Sequence, residues 1–192
     1  MIRINRFLKN SMKKIFCFLI LSVSCIGLYA GPVSIIPQPA ELYVRQDCFH
    51  LNASTVYVVD FDNPKIEYAL EFFNGVTDDL FGVSLSCAKE ARRNVIHISR
   101  DEAIAEEGYV MEVGTKMIQI TASSPAGVYY AFQSLRQMVP AEALGGYKVT
   151  DVEIQAVSIK DEPKFGYRGF LLDVGRHFFD VEEVKTFILR VE

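Results

Sequence analysis

The sequence predicts an α+β domain in which an antiparallel-rich sheet carries helices on one face. Three observations point there. Two segments place apolar side chains at helical spacing, several short runs are rich in β-branched residues, and two alternating runs are joined by a two-residue turn signal. Their order of strand, helix, strand, hairpin, helix, strand lays the helices over one side of a sheet.

The chain begins with a different kind of segment. Met1 to Lys14 carries five basic residues and no acidic one, and Ile15 to Leu28 is uncharged and apolar. This is the pattern of a secretory signal spanning residues 1–30, with cleavage after Ala30. The apolar run is shorter than the roughly 20 residues a spanning helix needs, so no stable membrane span is expected after cleavage. A competing cut before Cys25 would make the product a lipoprotein. Export to the periplasm or the extracellular space is the expectation in either case.

Pro32, Pro37 and Pro39 make residues 31–40 an extended lead-in. Thr55 to Asp60 is a β-branched strand. Asn63-Pro64 is a helix start, and Ile66, Ala69, Leu70, Phe73, Val76 and Leu80 form the apolar stripe that follows, closed by Gly82. Val95 to Ser99 is a second short strand. Tyr109, Met111 and Val113 alternate on one run and Ile118, Ile120 and Ala122 on the next, with Gly114-Thr115 as the turn. Ser124-Pro125 opens a second helix with Val128, Ala131, Phe132, Leu135, Met138 and Val139 on one face, stopped by Pro140. A strand over Tyr147 to Ile154 completes the layer.

Beyond the polar break Asp161-Glu162-Pro163 the pattern changes. Tyr167 to Asp173 reads as a strand buried on both faces. A helix follows from about Asp180, whose side chain and Glu183 form a capping-box pair. The domains predicted are therefore 1–30, 31–160 and 161–192.

Of 192 residues half are apolar, which excludes a disordered tail or a disulfide-stapled module. Removing the signal leaves 15 basic against 24 acidic side chains, net −9. That charge gives no electrostatic footing for nucleic acid. Cys48 and Cys87 remain in an oxidising compartment, and their spacing leaves one disulfide and two free thiols equally open. The spacing does not suggest zinc, and His50, His97 and His177 lack the close pairing of a helical metal site. No serine sits in a nucleophile elbow and no glycine run makes a phosphate loop.

The informative run is Tyr167-Arg168-Gly169-Phe170-Leu171-Leu172-Asp173-Val174-Gly175-Arg176-His177-Phe178-Phe179. It places charged side chains at a strand's carboxyl end, where α/β barrels hold their ligands. An arginine there offers a rigid fork of donors to sugar hydroxyls.

This run closely resembles the start of the catalytic barrel of glycoside hydrolase family 20, the β-N-acetylhexosaminidases, through Tyr-Arg-Gly, Leu-Asp and Arg-His-Phe. Ile35-Ile36-Pro37-Gln38-Pro39 is similar to the lead-in of that family's N-terminal domain. Glu107-Gly108-Tyr109, Ile118 to Ala122, and Ala126 to Ala131 with Gln133, Leu135 and Gln137 resemble its hairpin and following helix. The resemblance implies that 31–160 is the accessory domain and that 161–192 begins a truncated TIM barrel, which when complete takes about 250 residues.

What the resemblance implies chemically is retaining, substrate-assisted removal of terminal N-acetylglucosamine or N-acetylgalactosamine from the non-reducing ends of glycans, with no metal or organic cofactor. An Asp-Glu pair in a His-x-Gly-Gly-Asp-Glu-like setting performs that chemistry. Neither Asp101-Glu102 nor Asp161-Glu162 has that setting, so no catalytic residue is expected in these 192 residues. The family residue that carries over is Arg176, a contact to hydroxyls of the terminal sugar, with Asp173 and His177 supporting the strand end and not catalytic. The expectation is an inactive N-terminal portion of a hexosaminidase. The rivals are a family 84-like enzyme, disfavoured by Asp173-Val174-Gly175-Arg176-His177-Phe178, and a non-catalytic carbohydrate-binding or interaction module.

Overall fold

A computed structural model describes residues 33–191, with side chains through 188. The signal at 1–30, with both of its proposed cleavage points and Cys25, lies outside the described residues. The elements in chain order are β1 (Glu41–Asn52), β2 (Val56–Asp60), α1 (Ile66–Phe81), β3 (Ser86–Cys87), β4 (Val95–Arg100), β5 (Tyr109–Val113), β6 (Met117–Ala122), α2 (Pro125–Gln137), β7 (Asp151–Asp161) and α3 (Val181–Val191). Among the described residues no helix is long and apolar enough to cross a membrane.

The strands form one seven-stranded sheet in the order β1-β7-β5-β6-β4-β2-β3. Three contacts, β1–β7, β7–β5 and β5–β6, are antiparallel, and three, β6–β4, β4–β2 and β2–β3, are parallel. The sheet is therefore mixed, not antiparallel-rich as the sequence suggested. The cause is α1, which carries the chain from the end of β2 back across the sheet, so that β2 and β4 run the same way.

Both predicted helices form, and both lie on one face. At α1 the Asn63 carboxamide accepts the Lys65 N–H at 3.0 Å, making a turn that delays the helix to Ile66. Gly82 closes it at φ 74°, donating to the Asp78 carbonyl at 2.8 Å, in the left-handed geometry that glycine tolerates. At α2 the Ser124 hydroxyl accepts the Gly127 N–H at 3.4 Å and Pro125 occupies the first turn.

The helices meet through aromatic rings. Phe73 of α1 stacks on Phe132 of α2 at 4.7 Å, and Tyr57 of β2 meets Phe132 edge-on at 6.2 Å. The Tyr57 hydroxyl donates to Asn74 at 3.1 Å, and the buried Tyr109 hydroxyl pairs with Ser134 at 2.6 Å, so neither phenol is stranded in the core. Burial pushes the Tyr109 phenol up to about 12. Gly127 marks where α2 presses on the loop before β5: a Cβ there would sit 2.2 Å from the Gly108 carbonyl oxygen.

β1 is an unpredicted strand, and it is irregular. Its register against β7 shifts between Val44 and Cys48, and on β7 Ala156 and Val157 are both buried, so the inward alternation changes parity there. The hairpin turn falls on Thr115-Lys116, with the Gly114 N–H bonded to the Met117 carbonyl at 2.9 Å, one residue later than expected. The last strand covers 151–161, not 147–154. Cys48 and Cys87 lie on opposite edge strands, separated by six strand spacings of about 4.8 Å each, far beyond disulfide reach, so both are free thiols.

The segment after β7 departs from prediction. Residues 167–173 form no strand, and Tyr167, Phe170 and Leu171 are exposed. A barrel strand is held by hydrogen bonds to neighbours on both sides, and none of the described residues pairs with this run. Of the strand and helix expected over 161–192, only the helix forms among the described residues. α3 does carry the predicted capping box, with the Asp180 N–H bonded to the Glu183 carboxylate at 2.9 Å and the Glu183 N–H to the Asp180 carboxylate at 2.8 Å.

Candidate functional site

The predicted sugar-contacting run lies in the coil before α3. Asp173 folds back on the chain, one carboxylate oxygen accepting the Gly175 N–H at 2.9 Å and the other meeting the Arg176 Nε at 3.2 Å. The Arg176 side chain is 92% exposed, and its Nη atoms have no partner among the described residues. Asp173 and Arg176 thus form a local ion pair within the coil. His177 does not join them; its ring leans on Phe179, 5.1 Å between centroids. Phe170 packs on Phe187 of α3 at 4.6 Å, and Leu172, Phe179 and Phe187 line a shallow groove beside Asp180 and Glu183.

Arg168 ties this run to the sheet domain. Its Nη2 donates to Glu107 at 2.6 Å and to the Tyr130 hydroxyl at 3.2 Å, its Nη1 to the Phe165 carbonyl at 2.6 Å, and its guanidinium lies 5.8 Å from the Tyr130 ring centroid. The hydrogen bond from Arg168 holds the Glu107 carboxyl below its ordinary range. Glu107 and Arg168 each lie in a motif of the resemblance, but nothing in the sequence pairs them.

The two Asp-Glu dipeptides have structural uses. Asp101 accepts the Ala103 N–H at 2.9 Å in a turn while Glu102 pairs with Arg100 at 3.3 Å, and Asp161 accepts the Ala40 N–H at 3.0 Å, fastening the lead-in to the end of β7. Both lie in exposed loops or strand ends.

Sequence reasoning missed a cluster on the sheet face opposite the helices. On β1, Phe49 and Leu51 point into the core, so Cys48 and His50 point out; on β7, His50 faces Glu153 and Asn52 faces Asp151. One donor atom from each of Cys48, His50 and Glu153 lies within 4.8 Å of the others. The Cys48 Sγ is 3.8 Å from the His50 Nε2, and the His50 Nδ1 is 2.7 Å from Asp151. That hydrogen bond raises the His50 pKa, and burial, aided by the surrounding carboxylates, raises the Cys48 thiol. Spacing along the chain does not suggest zinc, because Glu153 reaches Cys48 and His50 only through the pairing of β1 with β7. His97, on the distant strand β4, is held between Gln119 at 2.6 Å and Asp60 at 2.7 Å and is a strand-face histidine.

Residues 33–162 match the model for glycosyl hydrolase family 20, domain 2. A beta-hexosaminidase of Porphyromonas gingivalis is 35% identical over 83% of this chain, and a beta-N-acetylhexosaminidase of Cellulomonas fimi 30% identical over 81%. The chain spans 21% and 31% of their respective lengths. Among solved structures, a mutant Streptomyces plicatus beta-hexosaminidase in complex with product GlcNAc superposes with a TM-score of 0.71 at 27% identity, covering 83% of this chain and 32% of that one. A GH20 beta-N-acetylhexosaminidase of Streptomyces coelicolor A3(2) gives 0.68 at 28% identity, covering 80% and 31%. With a family model matched over most of its length and the sheet-and-helix layer shared with these enzymes, the chain belongs to glycosyl hydrolase family 20.

Proposed function

We propose that this chain supplies the N-terminal accessory domain and the first sugar-contacting arginine of an exported β-N-acetylhexosaminidase. The substrate is a glycan ending in N-acetylglucosamine or N-acetylgalactosamine, cleaved with retention by the substrate-assisted route. The observation that carries this reading is the arrangement at Arg176. Asp173 grips the guanidinium through Nε and leaves both terminal nitrogens facing solvent, a planar pair of donors suited to adjacent sugar hydroxyls. Arg168 docks the same run on Glu107 and Tyr130 of the matched domain. His177 packs its ring on Phe179 and is assigned a supporting, not a catalytic, part.

The same reading makes the 192 residues inactive by themselves. Protonation of the leaving oxygen needs a carboxylic acid with a raised pKa beside an acetamido-orienting Asp. The Asp-Glu pairs present are spent on a turn, a surface ion pair and a strand end. The full chain, assayed with an aryl N-acetyl-β-glucosaminide, is expected to show no turnover above a mock purification, and turnover above that control would overturn the assignment. Saturable calorimetric binding of N-acetylglucosamine oligomers without turnover would favour a carbohydrate-binding module instead.

A further inference from the structure

We propose that Cys48, His50 and Glu153 bind one divalent cation of the zinc class on the outer face of the β1–β7 edge, with Asp151 orienting His50. Strand geometry builds the site. Residues two apart on β1 share a face, and antiparallel pairing sets Glu153 directly opposite His50. The three donor atoms already lie within 4.8 Å of one another. In a tetrahedral zinc site the sulfur–nitrogen edge is about 3.6 Å, from bond lengths near 2.3 and 2.05 Å. The Cys48–His50 distance of 3.8 Å is close to that edge. The Glu153 carboxylate has at most ~1.4 Å to close, within reach of an exposed side chain with three rotatable bonds.

The histidine is held as metal-bound histidines are. Asp151 takes one ring nitrogen at 2.7 Å and turns the other towards the thiol, the carboxylate–histidine arrangement that fixes tautomer and ring orientation around a cation. A thiolate, an imidazole and a carboxylate together select a borderline-soft ion such as Zn2+ over Mg2+ or Ca2+, which prefer all-oxygen shells. Three protein ligands leave the fourth position to water on the solvent side. On binding, a Zn–Sγ bond forms, the Cys48 thiol proton passes to buffer, and the His50 Nε2 lone pair and one Glu153 oxygen complete the protein's share.

Titration of the full chain with Co2+ under anaerobic conditions tests the site, since a thiolate ligand gives a near-ultraviolet sulfur-to-cobalt charge-transfer band. The expected result is a band that saturates at one equivalent, is displaced by Zn2+, survives in Cys87→Ser and disappears in Cys48→Ser. Asp151→Asn should weaken Co2+ binding by about 10-fold or more while leaving the band's position unchanged, the behaviour of an outer-shell partner. A second measurement needs no variant: Zn2+ should slow alkylation of Cys48, read by mass spectrometry, and leave Cys87 unaffected. No saturable band, a band retained in Cys48→Ser, or equal protection of both cysteines would overturn the proposal.

Discussion

Tyr57 and Tyr167 each stand in an apolar run, and the structure buries the first completely while leaving the second 88% exposed. The side chains do not differ; their neighbours do. The run around Tyr57 has β4 on one side and β3 on the other, with α1 and α2 above it. The run from Tyr167 has the Arg168 tether and the Phe170–Phe187 contact, with no strand beside it among the described residues. An extended segment becomes a buried strand only when partners take its backbone N–H and C=O groups. Hydrophobic sequence is a necessary condition and not a sufficient one.

Substitutions can sharpen that contrast. Phe132→Ala removes the ring that both Phe73 and Tyr57 pack against and should destabilise the domain by about 3–5 kcal/mol in urea unfolding. Phe170→Ala, an aromatic truncation of equal size in the other region, should change the same transition by no more than about 0.5 kcal/mol. A comparable loss for both would erase the distinction between the regions. Gly127→Ala drives a Cβ to 2.2 Å from the Gly108 oxygen and 3.0 Å from the Ala122 Cβ, and should cost about 1–3 kcal/mol by thermal denaturation. Gly166→Ala, with open space around its Cβ, is the matching control outside the sheet domain.

The smallest effect concerns the tether between the regions. Because the folded state depresses the Glu107 carboxyl, the ion pair with Arg168 favours docking above the ordinary Glu value of 4.5. That contribution is lost as pH falls through the depressed value. Carboxyl 13C titration should find Glu107 below 4.5 in the unmodified protein and returned towards it in Arg168→Gln. A Glu107 titration unmoved by the substitution would show that the tether is not formed in solution.

The helices were predictable because a 3.6-residue stripe such as Ala69, Phe73, Val76 and Leu80 records which face meets a core. The short central strands and the hairpin were readable from their β-branched runs and alternation. β1 was not, because its alternation breaks at the bulge between Val44 and Cys48, where Arg45, Gln46 and Asp47 leave no apolar period to detect. Strand direction was lost for a related reason: alternation records a face and not whether a neighbour runs parallel. In the coil before α3, Asp173 and Arg176 are three residues apart and their association is local. The Glu107–Arg168 bond and the Cys48, His50 and Glu153 cluster depend on pairings that no local spacing encodes.

The pairing of β1 with β7 has a consequence for synthesis. Glu41 lies beside Lys160 and Asn52 beside Asp151, so the first of the described strands to be made is completed by the last strand of the sheet. Until β7 emerges, β1 has neither edge paired and Phe49 and Leu51 have no permanent cover. Closure over such a separation is late and slow compared with local helix formation. The sheet therefore cannot lock until nearly all of residues 33–161 have been made.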